Sequence, residues 1–132
     1  MNGNQISREM RAAFSQKNLE AITNLLLAGE KVNAYLDPMV GWTMLAAASH
    51  ECSTEIVRLL LESGANTESV DLEGNTALIL ATIQGHIEVV ELLLQYGADL
   101  NHKTRSGWTA ARWARNRGHS QIAEILQQFS EN

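Results

Sequence analysis

Three glycines, Gly41, Gly74 and Gly107, stand 33 residues apart, and Thr43, Thr76 and Thr109 keep the same step two positions later. The step also relates Ala48 to Ala81 and Ala114, Ile56 to Val89 and Ile122, and Leu60 to Leu93 and Leu126. Gly64-Ala65-Asn66 returns as Gly97-Ala98-Asp99, and Gly85-His86 as Gly118-His119. A repeat of this length binds turn, small and large apolar positions together, so the chain must fold as a row of equivalent units. No single unit can bury its own apolar face, and each must lean on its neighbours.

Local signals say what a unit is. Thr76 precedes Ala77-Leu78-Ile79-Leu80-Ala81-Thr82, where its hydroxyl can cap the exposed N–H groups of a first helix. Gly85 ends that helix, since glycine adopts a left-handed conformation without steric cost. From Ile87 the apolar residues Val89, Val90, Leu92, Leu93 and Leu94 form the stripe of a second helix, stopped by Gly97. The polar, glycine-punctuated segments between units predict extended turn connectors. Helices of roughly ten residues are marginal alone, so the expected fold is a stack of helix pairs.

The segment Gly74 to Asn101 resembles the ankyrin pattern G-x-T-P-L-H-x-A-A-x-x-G-H-x-E-[IV]-V-x-L-L-L-x-x-G-A-D-[VI]-N. It matches at Thr76, Leu78, Ala81, Gly85-His86, Glu88, Val89-Val90, Leu92-Leu93-Leu94, Gly97-Ala98-Asp99 and Asn101. The unit beginning near Pro38 matches through Gly41, Thr43, Leu45, Ala48, Glu55-Ile56-Val57, Leu59-Leu60-Leu61 and Gly64-Ala65-Asn66. A last unit keeps Gly107, Thr109, Ala111, Ala114, Gly118-His119, Ile122 and Leu126, and a degenerate first unit shows Ile22, Leu25-Leu26-Leu27 and Gly29 to Asn33. The resemblance implies an all-α solenoid with β-turn fingers. It forms a single domain over residues 1–132, in units 4–37, 38–70, 71–103 and 104–132.

Three departures carry expectations. Met44-Leu45-Ala46, Ala77-Leu78-Ile79 and Ala110-Ala111-Arg112 replace the family's Pro-Leu-His, removing a hydrogen bond between turn and helix. Cys52-Ser53 replaces Gly-His, so the first helix of the second unit should end less sharply. The connector leading to Gly41 is two residues longer than its counterparts, implying an enlarged finger around Tyr35-Leu36-Asp37-Pro38-Met39.

Apolar residues make up 45% and charged residues 19%, which argues against a disordered chain. The N-terminal residues lack both a positive start and an apolar stretch, so no signal peptide is expected, and no apolar run is long enough to span a bilayer. Cys52 is the only cysteine, which suits a reducing compartment and a cytoplasmic location. His50, His86, His102 and His119 never fall at metal-ligand spacing, and His86 and His119 occupy equivalent, structural positions. There is no phosphate-cradling glycine loop and no arrangement suggesting a nucleophile with its base. The chain is read as a non-enzyme without cofactor or metal.

Charge is unevenly spread. Residues 1–70 carry five Lys+Arg and eight Asp+Glu, residues 71–99 five acids and no cation, and residues 100–132 five cations and two acids. Lys103, Arg105, Arg112, Arg115 and Arg117 form a run without an acid from Leu100 to Ala123. That run is either a positive contact patch or the solubilising face of a terminal unit. Trp42 and Trp108 follow the turn glycine, where a ring either anchors a partner or lies on the next finger; Trp113 is expected to pack in the core or at the end of the stack. The apolar finger either folds back on the first unit or stays exposed.

The candidate contact residues are Tyr35, Met39, Val40 and Trp42 in the first finger, Asn75, Ile83 and Gln84 in the third unit, and Arg105, Trp108, Arg112, Arg115 and Arg117 in the last. Together they imply a protein-binding module, an adaptor or stoichiometric inhibitor, that meets its partner through a concave face. It is expected to be monomeric and to bind neither membrane nor nucleic acid. The alternative is a polyanion or nucleic-acid contact through the basic last unit.

Overall fold

The computed structural model describes residues 5–131; the start of the first unit at residue 4 and the end of the last at residue 132 lie outside them. Among the described residues eight helices form four antiparallel pairs: α1 (Arg8–Ser15) with α2 (Leu19–Leu27), α3 (Met44–Glu51) with α4 (Thr54–Glu62), α5 (Ala77–Gln84) with α6 (Ile87–Gln95), and α7 (Ala110–Asn116) with α8 (Ser120–Ser130). Helices α3, α5 and α7 pack in one row and α2, α4, α6 and α8 in a second. This is the all-α solenoid expected from the 33-residue step. Among the described residues the only sheet is a short antiparallel hairpin of β1 (Tyr35–Asp37) and β2 (Trp42–Thr43).

Caps form where the threonines predict them. Thr43, Thr76 and Thr109 Oγ1 accept from the N–H groups of Ala46, Ile79 and Arg112 at 3.2, 3.3 and 3.3 Å. Ser7 and Asn18 do the same for α1 and α2. The expected loose end of α3 is not found. Cys52 itself takes the left-handed conformation, φ 62°, and its N–H bonds Ala48 O, so α3 stops where α5 stops at Gly85 with φ 78°. A side chain in that region costs about 1–2 kcal/mol, and the stacked fold absorbs it.

Each pair buries its stripe in one continuous core that runs from Ile6 to Leu126 through Leu45, Leu60, Leu78 and Leu93. Full burial of such a side chain contributes about 1.5–3 kcal/mol. The first-row helices meet through small residues, with Ala48, Ala81 and Ala114 all fully buried. They therefore pack more closely than α4, α6 and α8 do. Between α1 and α3 the approach is looser. Phe14 is buried there, at the position of Ser49 in the next unit, and its bulk holds α1 off.

Candidate protein-interaction surface

The turn fingers are tied into a ledge by main-chain bonds. Leu72 N–H donates to Val40 O at 3.1 Å and, one unit on, Arg105 N–H donates to Glu73 O at 3.0 Å. Asp71 is the hub of the third-unit finger. Its Oδ1 accepts from the N–H groups of Glu73 and Asn75 at 2.9 and 2.8 Å, and its Oδ2 from Trp42 Nε1 at 2.9 Å and Asn75 Nδ2 at 3.2 Å. His102 Nε2 donates to Gly74 O at 2.8 Å. These contacts hold the turns without the family's Pro-Leu-His. The fingers pass so close that a Cβ on Gly74 would stand 2.9 Å from the Arg105 nitrogen.

On this ledge the 33-residue step sets out rungs of exposed or half-exposed side chains. Met39, Leu72 and Arg105 share one rung, and Val40, Glu73 and Ser106 the next. Trp42, Asn75 and Trp108 follow, then His50, Ile83 and Asn116, then Glu51, Gln84 and Arg117. Met39 is 81% and Leu72 56% exposed, so two neighbouring fingertips present apolar side chains to solvent. The enlarged first finger divides accordingly. Its strand residues Tyr35 and Leu36 are half-buried, while Met39 and Val40 at the tip remain open.

Where α1 stands off α3, a cleft of about 780 Å³ opens beside that finger. Phe14 and Ala47 line it with Leu36, Met39 and Trp42, and Arg11, Lys17, Asp37 and Glu51 add charge to its walls. Trp42 is half-buried, its nitrogen spent on Asp71 and its ring 5.0 Å from the His50 ring at a 43° tilt.

The far end differs. Trp108 packs on Trp113 with centroids 4.6 Å apart at a 53° tilt, the Arg112 guanidinium lies 4.3 Å over Trp108, and that of Arg117 5.6 Å over Trp113. Trp113 is half-buried, as expected of end packing, and its Nε1 is buried without a partner, a cost of about 1–3 kcal/mol. Arg112 and Arg115 need a correction as residues of the inner face. Their equivalents are Ala46 and Ile79, and Ser49 and Thr82, all buried in units that have a following helix pair against them. The two arginines are exposed because no further helix pair covers α7 among the described residues. Arg115 therefore belongs to the end of the stack, and Arg112 joins the ledge only by folding over Trp108.

Of the remaining predicted residues, Asn75 and Ile83 are half-buried and Gln84, Arg105 and Arg117 exposed, all on the ledge or the ends of the first-row helices. Leu72, Glu73, His50 and Glu51 share these rungs and escaped the sequence reading. The step that places Met39, Val40, Ile83 and Gln84 marks each of them.

The histidines have structural partners. His86 Nε2 donates to His50 O at 2.9 Å and His119 Nε2 to Ile83 O at 3.1 Å, each reaching the end of the preceding first-row helix. Among the described residues no three His, Cys, Asp or Glu side chains come together as a metal site, and no helix is long and apolar enough to cross a membrane.

Together, the stacked pairs, bonded fingers and open rungs define a repeat solenoid that offers a surface. The chain belongs to the ankyrin-repeat family: the family model described as ankyrin repeats (3 copies) matches residues 10–104. The last helix pair, beyond the match, repeats the same cap and turn geometry. The chain is also similar to the human "Ankyrin repeat and MYND domain-containing protein 1", 38% identical over 74 residues, covering 56% of this chain and 8% of that protein. It thus spans less than a tenth of the length of that relative. Ankyrin repeats are generally protein–protein interaction modules, and the family is generally non-catalytic.

Proposed function

We propose that this chain is a non-catalytic binding module that engages one protein partner along the finger ledge and the concave ends of the first-row helices. It acts as an adaptor or stoichiometric inhibitor, as a monomer in the cytoplasm. The carrying observation is the contrast between a bonded, regular scaffold and rungs that change from unit to unit, Met39–Leu72–Arg105 above all. Variation at exposed positions of a rigid frame is what a specific surface needs, since a backbone already fixed lowers the ordering cost of binding. The cleft beside Met39 and Trp42 adds a concave seat for an apolar anchor.

A polyanion contact through residues 100–132 is the alternative, favoured by the run from Lys103 to Arg117. Substitution separates the two. In the protein-binding reading, Met39→Ser with Leu72→Ser weakens partner capture about tenfold or more, with unfolding unchanged. In the polyanion reading that double variant binds as the parent does, and affinity falls steeply with salt.

A further inference from the structure

We infer that the last unit grips a carboxylate-rich segment of the protein partner, held by Arg112 and Arg117 on the Trp108–Trp113 pair. The inference rests on the protein-binding reading above and gives that partner a chemistry.

The four side chains form one run, Arg112 over Trp108, Trp108 against Trp113, and Trp113 under Arg117, at 4.3, 4.6 and 5.6 Å. Each guanidinium carbon lies over a ring, and a planar guanidinium placed on an aromatic surface can still meet a carboxylate with two parallel bonds. Both arginines are exposed, and the rings beneath them restrict their rotamers before any ligand arrives. The fold does not require this run. At the equivalent places the inner units carry Ala46 and Ile79, Trp42 and Asn75, Ala47 and Leu80, and Glu51 and Gln84. A leucine would also spare the unpartnered indole nitrogen of Trp113.

Charge selects the occupant. Arg105 and Arg115 lie in the same unit, and no acid occurs from Leu100 to Ala123. The preceding stretch, residues 71–99, carries five acids and no cation. An extended nucleic acid following the ledge would leave the basic unit and meet that negative stretch within one repeat, whereas a few carboxylates cover the last unit alone. Met39 and Leu72 continue the ledge on the other side with apolar tips. The fitting segment is therefore aliphatic at one end and rich in Asp and Glu at the other.

The test titrates the whole chain with a short fluorescein-labelled peptide of Leu and Val residues followed by consecutive Glu and Asp. Its Gln/Asn counterpart and a single-stranded DNA oligonucleotide run in parallel. The inference expects the acidic peptide to bind and the amide peptide to lose about tenfold or more. Arg112→Gln and Arg117→Gln should each weaken the acidic peptide by a similar factor. Arg58→Gln, an exposed change on the outer helix α4, should leave it within about twofold. Arg112→Lys keeps the charge without the fork and should restore only part of the affinity. Equal binding of the amide peptide, equal loss in Arg58→Gln, or tighter binding of the oligonucleotide overturns the inference. If the acidic peptide fails while Met39→Ser with Leu72→Ser still abolishes partner capture, this inference falls and the protein-binding reading stands.

Discussion

Trp42 Nε1 donates to Asp71 Oδ2 across 2.9 Å and 29 residues of sequence, so the finger of one repeat is fastened by the aromatic ring of the repeat before it. The same carboxylate closes its own turn on Glu73 and Asn75. One side chain thereby couples the shape of a finger to its spacing from the next.

Breaking this contact should be measurable. Asp71→Ala is expected to lower unfolding free energy by about 1–3 kcal/mol, because it frees the donors of Glu73, Asn75 and Trp42 together. Trp42→Phe should cost less, and the double variant should show a coupling of about 0.5–1.5 kcal/mol in urea unfolding. Strict additivity would mean that the bond contributes nothing to fastening the fingers.

Cys52 offers a gain. It holds φ 62° where the third and fourth units hold Gly85 and Gly118, and it is exposed. Cys52→Gly relieves the left-handed strain at the expense of a more flexible unfolded chain, for a net stabilisation of about 0.5–1 kcal/mol. Thermal or urea unfolding reads it directly, and a lowered midpoint would show that the thiol makes contacts worth more than the strain.

Gly74 and Gly107 separate conformation from crowding. Both lie near φ +80°, at 80° and 83°, yet a Cβ on Gly74 meets the Arg105 nitrogen at 2.9 Å and one on Gly107 meets nothing within 4 Å. Both alanine variants bear the left-handed cost, and Gly74→Ala should lose about 1–3 kcal/mol more. Equal losses would argue that the fingers part without resistance.

The inter-repeat histidines give a fourth comparison. His86→Ala frees His50 O and His119→Ala frees Ile83 O, each with an expected loss of about 1 kcal/mol in chemical unfolding. No loss in either variant would show that solvent satisfies those carbonyls equally well.

The repeat architecture was legible because a 33-residue step in Gly, Thr, Ala and Leu fixes turn, cap and core at once. Details that depend on through-space neighbours were not. Cys52 could not be seen to adopt glycine's conformation, since that needs a stack rigid enough to impose it. The Trp42–Asp71 bond joins fingers whose separation no single unit encodes. Arg112 and Arg115 read as groove residues until the buried Ile79 and Thr82 identified their positions as interior ones, left uncovered in the last unit. Leu72 stands one step from Met39, but only its 56% exposure separates it from the many leucines the same step sends to the core.

The most direct measurement places a photo-crosslinking amino acid at Leu72, Gln84, Glu91 or Gln128 in turn, irradiates each variant in extract of its native cell, and compares the adducts. The surface described here yields a discrete protein adduct from the Leu72 and Gln84 sites and none from Glu91 or Gln128 on the outer helices. Adducts concentrated at Glu91 and Gln128, with Leu72 and Gln84 silent, would contradict it.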